Sequence, residues 1–282
     1  MKKDKIIVYS PDRLIKIGFL NLWKEMFSSL FQSRELIWRL FLRDFSAKYR
    51  QSLLGVLWAI INPIITVGVF IFLNRAGILN IGETSVPYPV FALIGISIYG
   101  IFSTGLSASS NCIIGAGPMV VKINFPKISL VIAAVGQSIV EFLVRLVLIM
   151  VIFIIFGVVP KWTAIFLPFT LLPVVLITLG IGFILSLLGG IFRDIVYGVP
   201  LLTTLLLFLV PALYPAPSSG MLATLNKWNP LSHLVTGCRD LLISGALSNP
   251  SGFLVASILS IIIFLVSWRI FFLSESRIAE RV

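Results

Sequence analysis

Long apolar segments alternate with short polar segments along most of this chain. Six of the apolar segments have about 20 residues or more, the length that a helix needs to cross the ~30 Å hydrocarbon core of a bilayer. They cover residues 53–73, 88–110, 128–156, 165–190, 195–213 and 252–272. The pattern predicts an all-α integral membrane protein with six transmembrane helices, in which residues 1–50 form an N-terminal segment and residues 51–282 the membrane domain.

Residues 33–50 predict a different kind of helix. Their apolar side chains recur on one side of a helical period and their polar side chains on the other, which is typical of an amphipathic helix lying in the membrane interface. Ser33 is a suitable N-cap, and Glu35 lies in the first turn, where the helix dipole favours an acid. Such a helix could be a simple anchor or could also dock a cytoplasmic partner. The apolar side comprises Ile37, Trp38, Phe41, Leu42, Phe45 and Tyr49, and the polar side Arg39, Arg43, Ser46 and Arg50.

The connection after the second span, residues 115–127, is bounded by prolines. Pro118 and Pro126 leave room for one short helix that carries Lys122. A plain turn between two spans is the more frequent meaning of so short a loop. In a transporter driven by a separate motor, the same short helix would also be the place where force is delivered.

The segment between the fifth and sixth spans is too polar to cross the membrane and too apolar for an open loop. Pro211, Pro215 and Pro217 make a straight continuation of the fifth span unfavourable. Asn229 followed by Pro230 is a typical helix start, and apolar residues then recur at helical spacing until residue 245. Two short helices within residues 220–245 could form a re-entrant outer hairpin, or the second could pack on the spans.

Composition and charge agree with a bilayer environment and set the orientation. The chain is 58% hydrophobic and only 12% charged. Most of the 22 lysine and arginine residues precede the first span or flank the same ends of later spans, so the positive-inside rule places both termini in the cytoplasm. No cleavable signal is expected in the first fifty residues. Contact with anionic membrane lipids then explains the net charge of +11, and no nucleic-acid partner is expected.

One ion pair is predicted inside the membrane. Glu141 and Arg145 lie four residues apart on one face of the third span, near its middle. The pair could be a gating element or the foot of a proton path, or it could only fix helix packing. We favour packing, because a proton path usually needs several titratable groups and no other carboxylate lies in the middle of a span.

Catalytic chemistry is sparse in this sequence. There is no Gly-Lys dipeptide, and hence no phosphate-binding GxxxxGK[ST] loop. His233, the only histidine, shares a helix face with Asp240, but no nucleophile or metal-ligand cluster accompanies them, so a polar surface is the better interpretation. We expect no enzymatic activity, metal or cofactor in this chain.

Aromatic side chains on the first, second and fifth spans are candidates for the lining of a neutral channel. Most aromatic residues in membrane spans face lipid or other helices. Sugar rings, however, pack their C–H faces on aromatic rings, and Tyr and Trp add a hydrogen-bonding edge. The candidates are Trp58, Phe70, Tyr99, Phe102, Phe208 and Tyr214.

Three runs together resemble a known family. They are LFLRDFSAKYRQSLLGVLWAIINPI, then IFRDIVYGVPLL followed by PALYP, and finally NKWNPLSHLVTGCRDLLISG. In this order and spacing they are similar to the permease subunit of ABC exporters of bacterial polysaccharides, the O-antigen, capsule and teichoic-acid export family. The resemblance extends from about residue 36 to the sixth span.

The resemblance implies a homodimer that binds two copies of a separate ATP-binding subunit, which would carry ATP and Mg. The cargo would be a lipid-linked polysaccharide, moved outward across the bacterial inner membrane. The channel would lie between the first and fifth spans of both subunits, near Trp58, Phe70, Phe208 and Tyr214. The ATPase would contact the amphipathic helix, with Arg39 and Arg43, and the short helix bounded by Pro118 and Pro126, with Lys122.

Other functions remain open at the level of sequence. A related ABC permease could export a small lipid or a drug instead of a glycan. An ion-coupled carrier would need inverted repeats and titratable groups in mid-membrane, of which only Glu141 is visible. A membrane-embedded glycan-modifying enzyme would depend on His233 and Asp240.

Overall fold

The structure, a computed structural model, describes residues 19–50, 52–78, 81–117, 119–123 and 125–278. These residues form eleven α-helices and no strands. The helices are α1 Phe19–Gln32, α2 Arg34–Arg50, α3 Trp58–Arg75, α4 Tyr88–Ala116, α5 Met119–Lys122, α6 Ile128–Ile155, α7 Leu167–Ile191, α8 Arg193–Leu209, α9 Met221–Trp228, α10 Pro230–Ile243 and α11 Pro250–Ile278. The prediction of an all-α membrane protein is confirmed.

Five helical segments of the described chain are long and apolar enough to cross a membrane, namely Gly55–Arg75, Tyr88–Ala116, Ile128–Ile155, Trp162–Ile191 and Pro250–Glu275. The predicted fifth span corresponds to α8, which has 17 residues, at the lower limit for a spanning helix. It ends at Leu209, shortly before Pro211, because proline disfavours helical backbone in the residue that precedes it. The count of six spans therefore stays a prediction.

Helix α4 forms the centre of the subunit. It packs against α3, α6, α7, α8 and α10, and 78% of its most apolar 18-residue window is buried. The corresponding buried share of α3 is only 17%. The subunit is thus built around one enclosed helix, and α3 leaves most of its apolar surface open.

Small residues bring α7 close to α4, as the spacing of Gly182, Ser186 and Gly190 predicts. A Cβ atom on Gly182 would lie 2.8 Å from the Ser109 hydroxyl oxygen, and Ser186 is completely buried. The tightest approach in this contact is at Gly189, where a Cβ atom would lie 2.2 Å from the carbonyl oxygen of Ser110. The stripe is therefore a packing surface between two helix backbones.

Helix α1 is an amphipathic element that the sequence analysis did not anticipate. Met26 on one flank of its apolar side is buried, while Phe31 on the other flank is exposed. Phe27 packs edge-on against Trp268 of α11, with ring centroids 4.9 Å apart. The hydroxyl of Ser33, predicted to cap α2, instead donates to the Ser29 carbonyl of α1 at 2.7 Å. The N-terminal segment therefore contributes two helices before the first span rather than one.

The outer segment forms the two predicted short helices, α9 and α10. The side chain of Asn229 accepts a hydrogen bond from the backbone N–H of Leu231 at 3.0 Å, so the predicted N-cap is confirmed. Leu234, Val235 and Cys238 of α10 are completely buried, and α10 packs on α4, α7 and α11. Of the two arrangements that the sequence allowed for α10, packing on the spans is therefore present; a re-entrant position in the membrane stays a prediction.

Arg239 of α10 fixes the chain where α8 ends. Its Nη1 donates to the carbonyls of Pro211 and Ala212 at 2.9 and 3.4 Å, and its guanidinium lies 3.7 Å from the ring centroid of Phe91. The backbone approaches α4 so closely that a Cβ atom on Gly95 would lie 2.0 Å from the Ala212 oxygen. A buried backbone carbonyl without a partner is costly, and Arg239 supplies partners for two.

The α4–α7 contact predicts opposite effects for two glycine substitutions. Alanine in place of a helical glycine normally gains about 1 kcal/mol from helix propensity. We expect Gly198→Ala to keep or raise thermal stability in detergent, because a Cβ atom there meets nothing within 4 Å. Gly189→Ala should lower it despite the propensity gain, because the Ser110 backbone cannot easily move. Equal melting temperatures for the two variants would contradict this packing.

The contacts of Arg239 predict a measurable loss on its replacement. Arg239→Met keeps much of the side-chain volume but removes the donors to Pro211 and Ala212, so the protein should lose about 2–3 kcal/mol of stability. Lys227→Met, an exposed position on the neighbouring helix α9, is the control and should be nearly neutral. Thermal unfolding in detergent measures both. An Arg239→Met protein as stable as the control would show that the two carbonyls find other partners.

Candidate functional site

An exposed apolar surface runs along helices α3 and α8. We call it the α3/α8 face. The two helices meet through Phe70 and Phe208, whose rings stack with centroids 6.3 Å apart and planes at 30°. Its exposed members are Trp58, Ile65, Val69 and Phe72 on α3, and Tyr197, Leu201, Leu205 and Phe208 on α8.

The α3/α8 face is free of formal charge. Charged side chains occur only at the ends of these helices, with Arg75 closing α3, and Arg193 and Asp194 opening α8. A continuous exposed apolar surface of this kind is suited to lipid, to another protein surface, or to a neutral ligand. It cannot bind an ionic cargo by charge pairing along its length.

Two of the six predicted channel aromatics lie behind this face rather than on it. Tyr99 and Phe102 of α4 are both buried in the subunit. The Tyr99 hydroxyl donates to the Thr203 carbonyl of α8 and thereby ties α8 to the central helix. They are supporting residues of the face, and we leave them out of the channel lining proposed below.

The other four aromatics have at least one accessible edge. Trp58 and Phe208 are exposed, whereas Phe70 is half-buried and packs against the hydrophobic core. Tyr214, just beyond the end of α8, is partly exposed, and its hydroxyl donates to the Phe208 carbonyl at 3.0 Å. This bond uses one of the carbonyls that the end of a helix leaves unpaired, so Tyr214 shapes the face at the C-terminal end of α8.

The predicted coupling residues lie on α2 and on the connection after α4. Arg39 pairs with Glu35 at 2.6 Å, and Arg43 pairs with Asp44 at 2.7 Å. Arg43 Nη1 also lies 3.4 Å from the Met119 sulfur, which brings α2 and α5 into contact. Arg43 and Arg50 line one open groove together with Ser46 and Ala47.

Helix α5 is the predicted short helix, and Lys122 at its end is exposed. Pro126, which follows it, is half-buried. Pro118 lies outside the described residues. The basic side chains of α2 and the short α5 therefore form one neighbouring set of groups at the same end of the subunit.

Glu141 of α6 lies at the centre of a buried polar cluster that includes α2. Its Oε1 accepts from Lys48 Nζ at 2.5 Å and, more weakly, from the Tyr49 hydroxyl at 3.4 Å. Its Oε2 accepts from Arg145 Nη2 at 3.3 Å. The predicted pair of Glu141 and Arg145 is thus present, but the carboxylate also anchors the interface helix. We call Lys48, Tyr49, Glu141 and Arg145 the Glu141 cluster.

Arg145 extends this cluster to the first span. Its Nε donates to the carbonyl of Ala59 in α3 at 3.2 Å. Its Nη1 lies so close to α4 that a Cβ atom on Gly100 would be 1.7 Å away. Burial, together with the charge and hydrogen bond of Glu141, raises the pKa of Tyr49 to about 12, so Tyr49 is a neutral donor. The cluster joins α2, α3 and α6 at one point beside α4.

His233 and Asp240 do not face each other as a catalytic pair would. His233 Nε2 lies 2.9 Å from the carbonyl oxygen of Lys227. Asp240 Oδ2 accepts from the backbone N–H and the hydroxyl of Ser248, at 3.0 and 2.5 Å. Both side chains fasten backbone segments at the ends of α10. No group of three or more metal-ligating side chains occurs in the part of the chain that the structure describes.

The sequence analysis missed Lys48 and the contact of Arg145 with α3. Lys48 is one of many basic residues before the first span, and nothing local distinguishes it from the others. The useful signal was Pro63, a proline inside an otherwise continuous span, because its missing N–H requires a compensating donor for a nearby carbonyl.

Comparison with known proteins agrees with this architecture. The family model described as ABC-2 type transporter matches residues 35–243, most of the chain and nearly all of the elements described above. The match begins in α2 and ends with α10, and so includes the α3/α8 face and the Glu141 cluster.

Individual relatives are similar over most of their length. An O-antigen export system permease protein of Myxococcus xanthus is 27% identical over 257 residues, covering 90% of this chain and 97% of the relative. One from Klebsiella pneumoniae is 26% identical, covering 73% and 79%. A polysialic acid transport protein of Escherichia coli is 26% identical, covering 74% and 81%. On the extent of the family match, this multi-pass membrane protein belongs to the ABC-2 type transporter family.

Proposed function

We propose that this chain is the permease subunit of an ATP-driven exporter that moves a lipid-linked, O-antigen-like polysaccharide outward across the bacterial inner membrane. The observation that carries the proposal is the uncharged, aromatic-bearing α3/α8 face in a member of the ABC-2 type transporter family. Relatives named as O-antigen permeases and a polysialic acid transporter support a glycan as cargo.

Two copies of the chain would form the transport path by meeting across their α3/α8 faces. Lipid would cover exposed apolar surface such as that of α11, whereas at the α3/α8 face a second identical face would cover part of it. Trp58, Phe70, Phe208 and Tyr214 would line the space between the copies. Aromatic rings there would let sugar units pack and slide without binding one of them tightly.

The energy would come from a separate ATP-binding subunit, present in two copies. The sequence has no phosphate-binding loop of its own, so ATP and Mg would be bound by that partner. Arg39 and Arg43 of α2, Lys122 of α5, and Pro118 and Pro126 around α5 would contact it. Both termini would then lie in the cytoplasm.

The packing suggests how force would reach the path. ATP binding would close the partner pair and press on α5 and α2 together, because Arg43 and Met119 hold these helices in contact. Helix α4 is enclosed and would stay fixed, while α3 and α8 at the edge of the subunit would separate from the other copy. The chain of sugars would then advance in steps, one for each cycle of hydrolysis.

Charge reversal at the cytoplasmic contact tests the partnership directly. In proteoliposomes with the cognate ATP-binding subunit, wild type should show glycan-stimulated ATP hydrolysis and export. A double variant, Arg43→Glu with Lys122→Glu, should copurify with about tenfold less of the ATP-binding subunit. The surface of that subunit that pairs with the two cations would then face like charges, which repel strongly across an interface. Lys161→Glu, on the predicted outer side, is the matched control. Unaided export by the purified permease, or a stronger effect of the control, would contradict the proposal. Stimulation by short lipids but not by glycan would favour export of a small lipid.

Cysteine cross-linking tests the homodimer. Single cysteines at Leu201, Leu205 and Phe208 of α8 should yield cross-linked dimers with a short bifunctional reagent in native membranes. Cysteines at Leu254, Ile258 and Ile262 of α11, which are similarly exposed, form the control series and should stay monomeric. The wild-type chain, which has a buried Cys238 and a partly exposed Cys112, gives the background. Dimers formed through α11 alone would place the subunit contact on another surface.

A further inference from the structure

Pro63 leaves one backbone carbonyl of α3 without its helical hydrogen bond, and a side chain of another helix supplies the donor. In a continuous α-helix, the carbonyl of Ala59 would accept a hydrogen bond from the backbone N–H of residue 63. Proline has no N–H, so this carbonyl lacks its usual partner. Ala59 is buried, and an unpaired carbonyl in an apolar environment is costly. Arg145 of α6 supplies the missing donor, with Nε 3.2 Å from the Ala59 oxygen.

The guanidinium of Arg145 is held in this position from two other sides. Glu141 Oε2 lies 3.3 Å from its Nη2. The backbone of α4 lies against its Nη1 at Gly100, where any side chain would collide with the guanidinium. The Arg145 side chain is therefore held by specific contacts. Its position is determined jointly by α3, α4 and α6.

The second oxygen of Glu141 continues the connection to the interface helix. It accepts from Lys48 Nζ of α2 at 2.5 Å. A continuous path of polar contacts thus runs from Lys48 through Glu141 and Arg145 to the carbonyl of Ala59, beside Pro63. Prolines are the commonest sites of helix bending, because the missing bond and the ring weaken the helix there. The path connects α2 to the point of α3 that bends most easily.

We propose that Arg145 is a positioning residue of the transport cycle, which couples displacement of α2 to bending of α3 at Pro63. The inference rests on the proposed function, which assigns α2 to the ATPase contact and α3 to the transport path. A displacement of α2 moves Lys48 and, through their hydrogen bond, the Glu141 carboxylate. The guanidinium of Arg145 then shifts as well, and the Ala59 carbonyl gains or loses its hydrogen-bond donor. The bend of α3 then changes, and the separation of the two copies changes with it.

A purely structural role for Arg145 is separable from coupling, because Pro63→Ala restores the missing N–H. In that variant the Ala59 carbonyl can form its bond within α3 and no longer needs Arg145. Arg145→Met should lower the melting temperature, and Arg145→Met combined with Pro63→Ala should recover the part of the loss that comes from the Ala59 carbonyl, but not the part that comes from the Glu141 carboxylate. Pro173→Ala, another proline inside a spanning helix and outside the Glu141 cluster, is the matched control and should recover none of it.

Export by the same variants decides the inference. Complexes with the ATP-binding subunit would be compared for glycan exported per ATP hydrolysed. We expect about a tenfold loss in Arg145→Met, the scale of coupling between residues in direct contact, and no recovery in the combined variant although part of its stability returns. Recovery of export together with stability would show that Arg145 only supports packing and would overturn the inference. Wild-type export per ATP in Arg145→Met would overturn it as well.

The same experiment separates this inference from the proposed function. If the wild-type complex exports no glycan, or does not form, the proposed function fails whatever the variants do. If the wild type exports glycan and Pro63→Ala does not restore the stability of Arg145→Met, the proposed function stands. In that case the assignment of Arg145 to the Ala59 carbonyl is wrong.

Discussion

Backbone hydrogen bonding in an apolar solvent is the constraint on which the rest of this structure depends. A helix in hydrocarbon satisfies its own N–H and C=O groups, and any interruption leaves groups that only protein can pair. Both helices of the α3/α8 face contain a proline, Pro63 in α3 and Pro200 in α8, and α8 ends at Leu209. At Pro63 and beyond the end of α8, a buried arginine from another helix donates to backbone carbonyls. The irregular helices are therefore dependent on their neighbours for their shape.

Helix α4 allows both arginine contacts because it carries glycine where the two segments pack against it. Gly95 lies against the backbone of Ala212, and Gly100 lies against the guanidinium of Arg145. Any side chain at either position would push the contacting segment away from the core. Helix α4 thus has no side chain at the two positions that contact the Ala212 backbone and the Arg145 guanidinium.

Local sequence patterns predicted the elements well because local physics determines them. The long spans follow from apolar runs, α2 from its two-sided periodicity, and α10 from the cap at Asn229. Helix α1 was missed although its apolar side has the same periodicity, because the charged residues around it dominated the interpretation. The length of α8 depends on where its backbone finds partners, which hydropathy does not show.

The candidate site was less predictable, because its contacts join distant parts of the chain. The spacing of Glu141 and Arg145 predicted their pairing, since both lie on one helix. The contact of Glu141 with Lys48 spans 93 residues, and no local signal encodes it. Tyr99 and Phe102 were candidates for the channel because they are aromatic residues of the second span, and the sequence does not show which face of that span is buried. Only the packing around α4 reveals that they lie behind the α3/α8 face.

The distribution of charge limits what the proposed path could recognise. Between their ends, α3 and α8 carry no Asp, Glu, Lys, Arg or His side chain. The two buried arginines nearby donate to backbone carbonyls. A tunnel of this kind could not distinguish cargoes by charge, and it would let neutral sugars pass with little preference. Any selection of one glycan over another would therefore have to occur outside this tunnel, for example on the partner subunit.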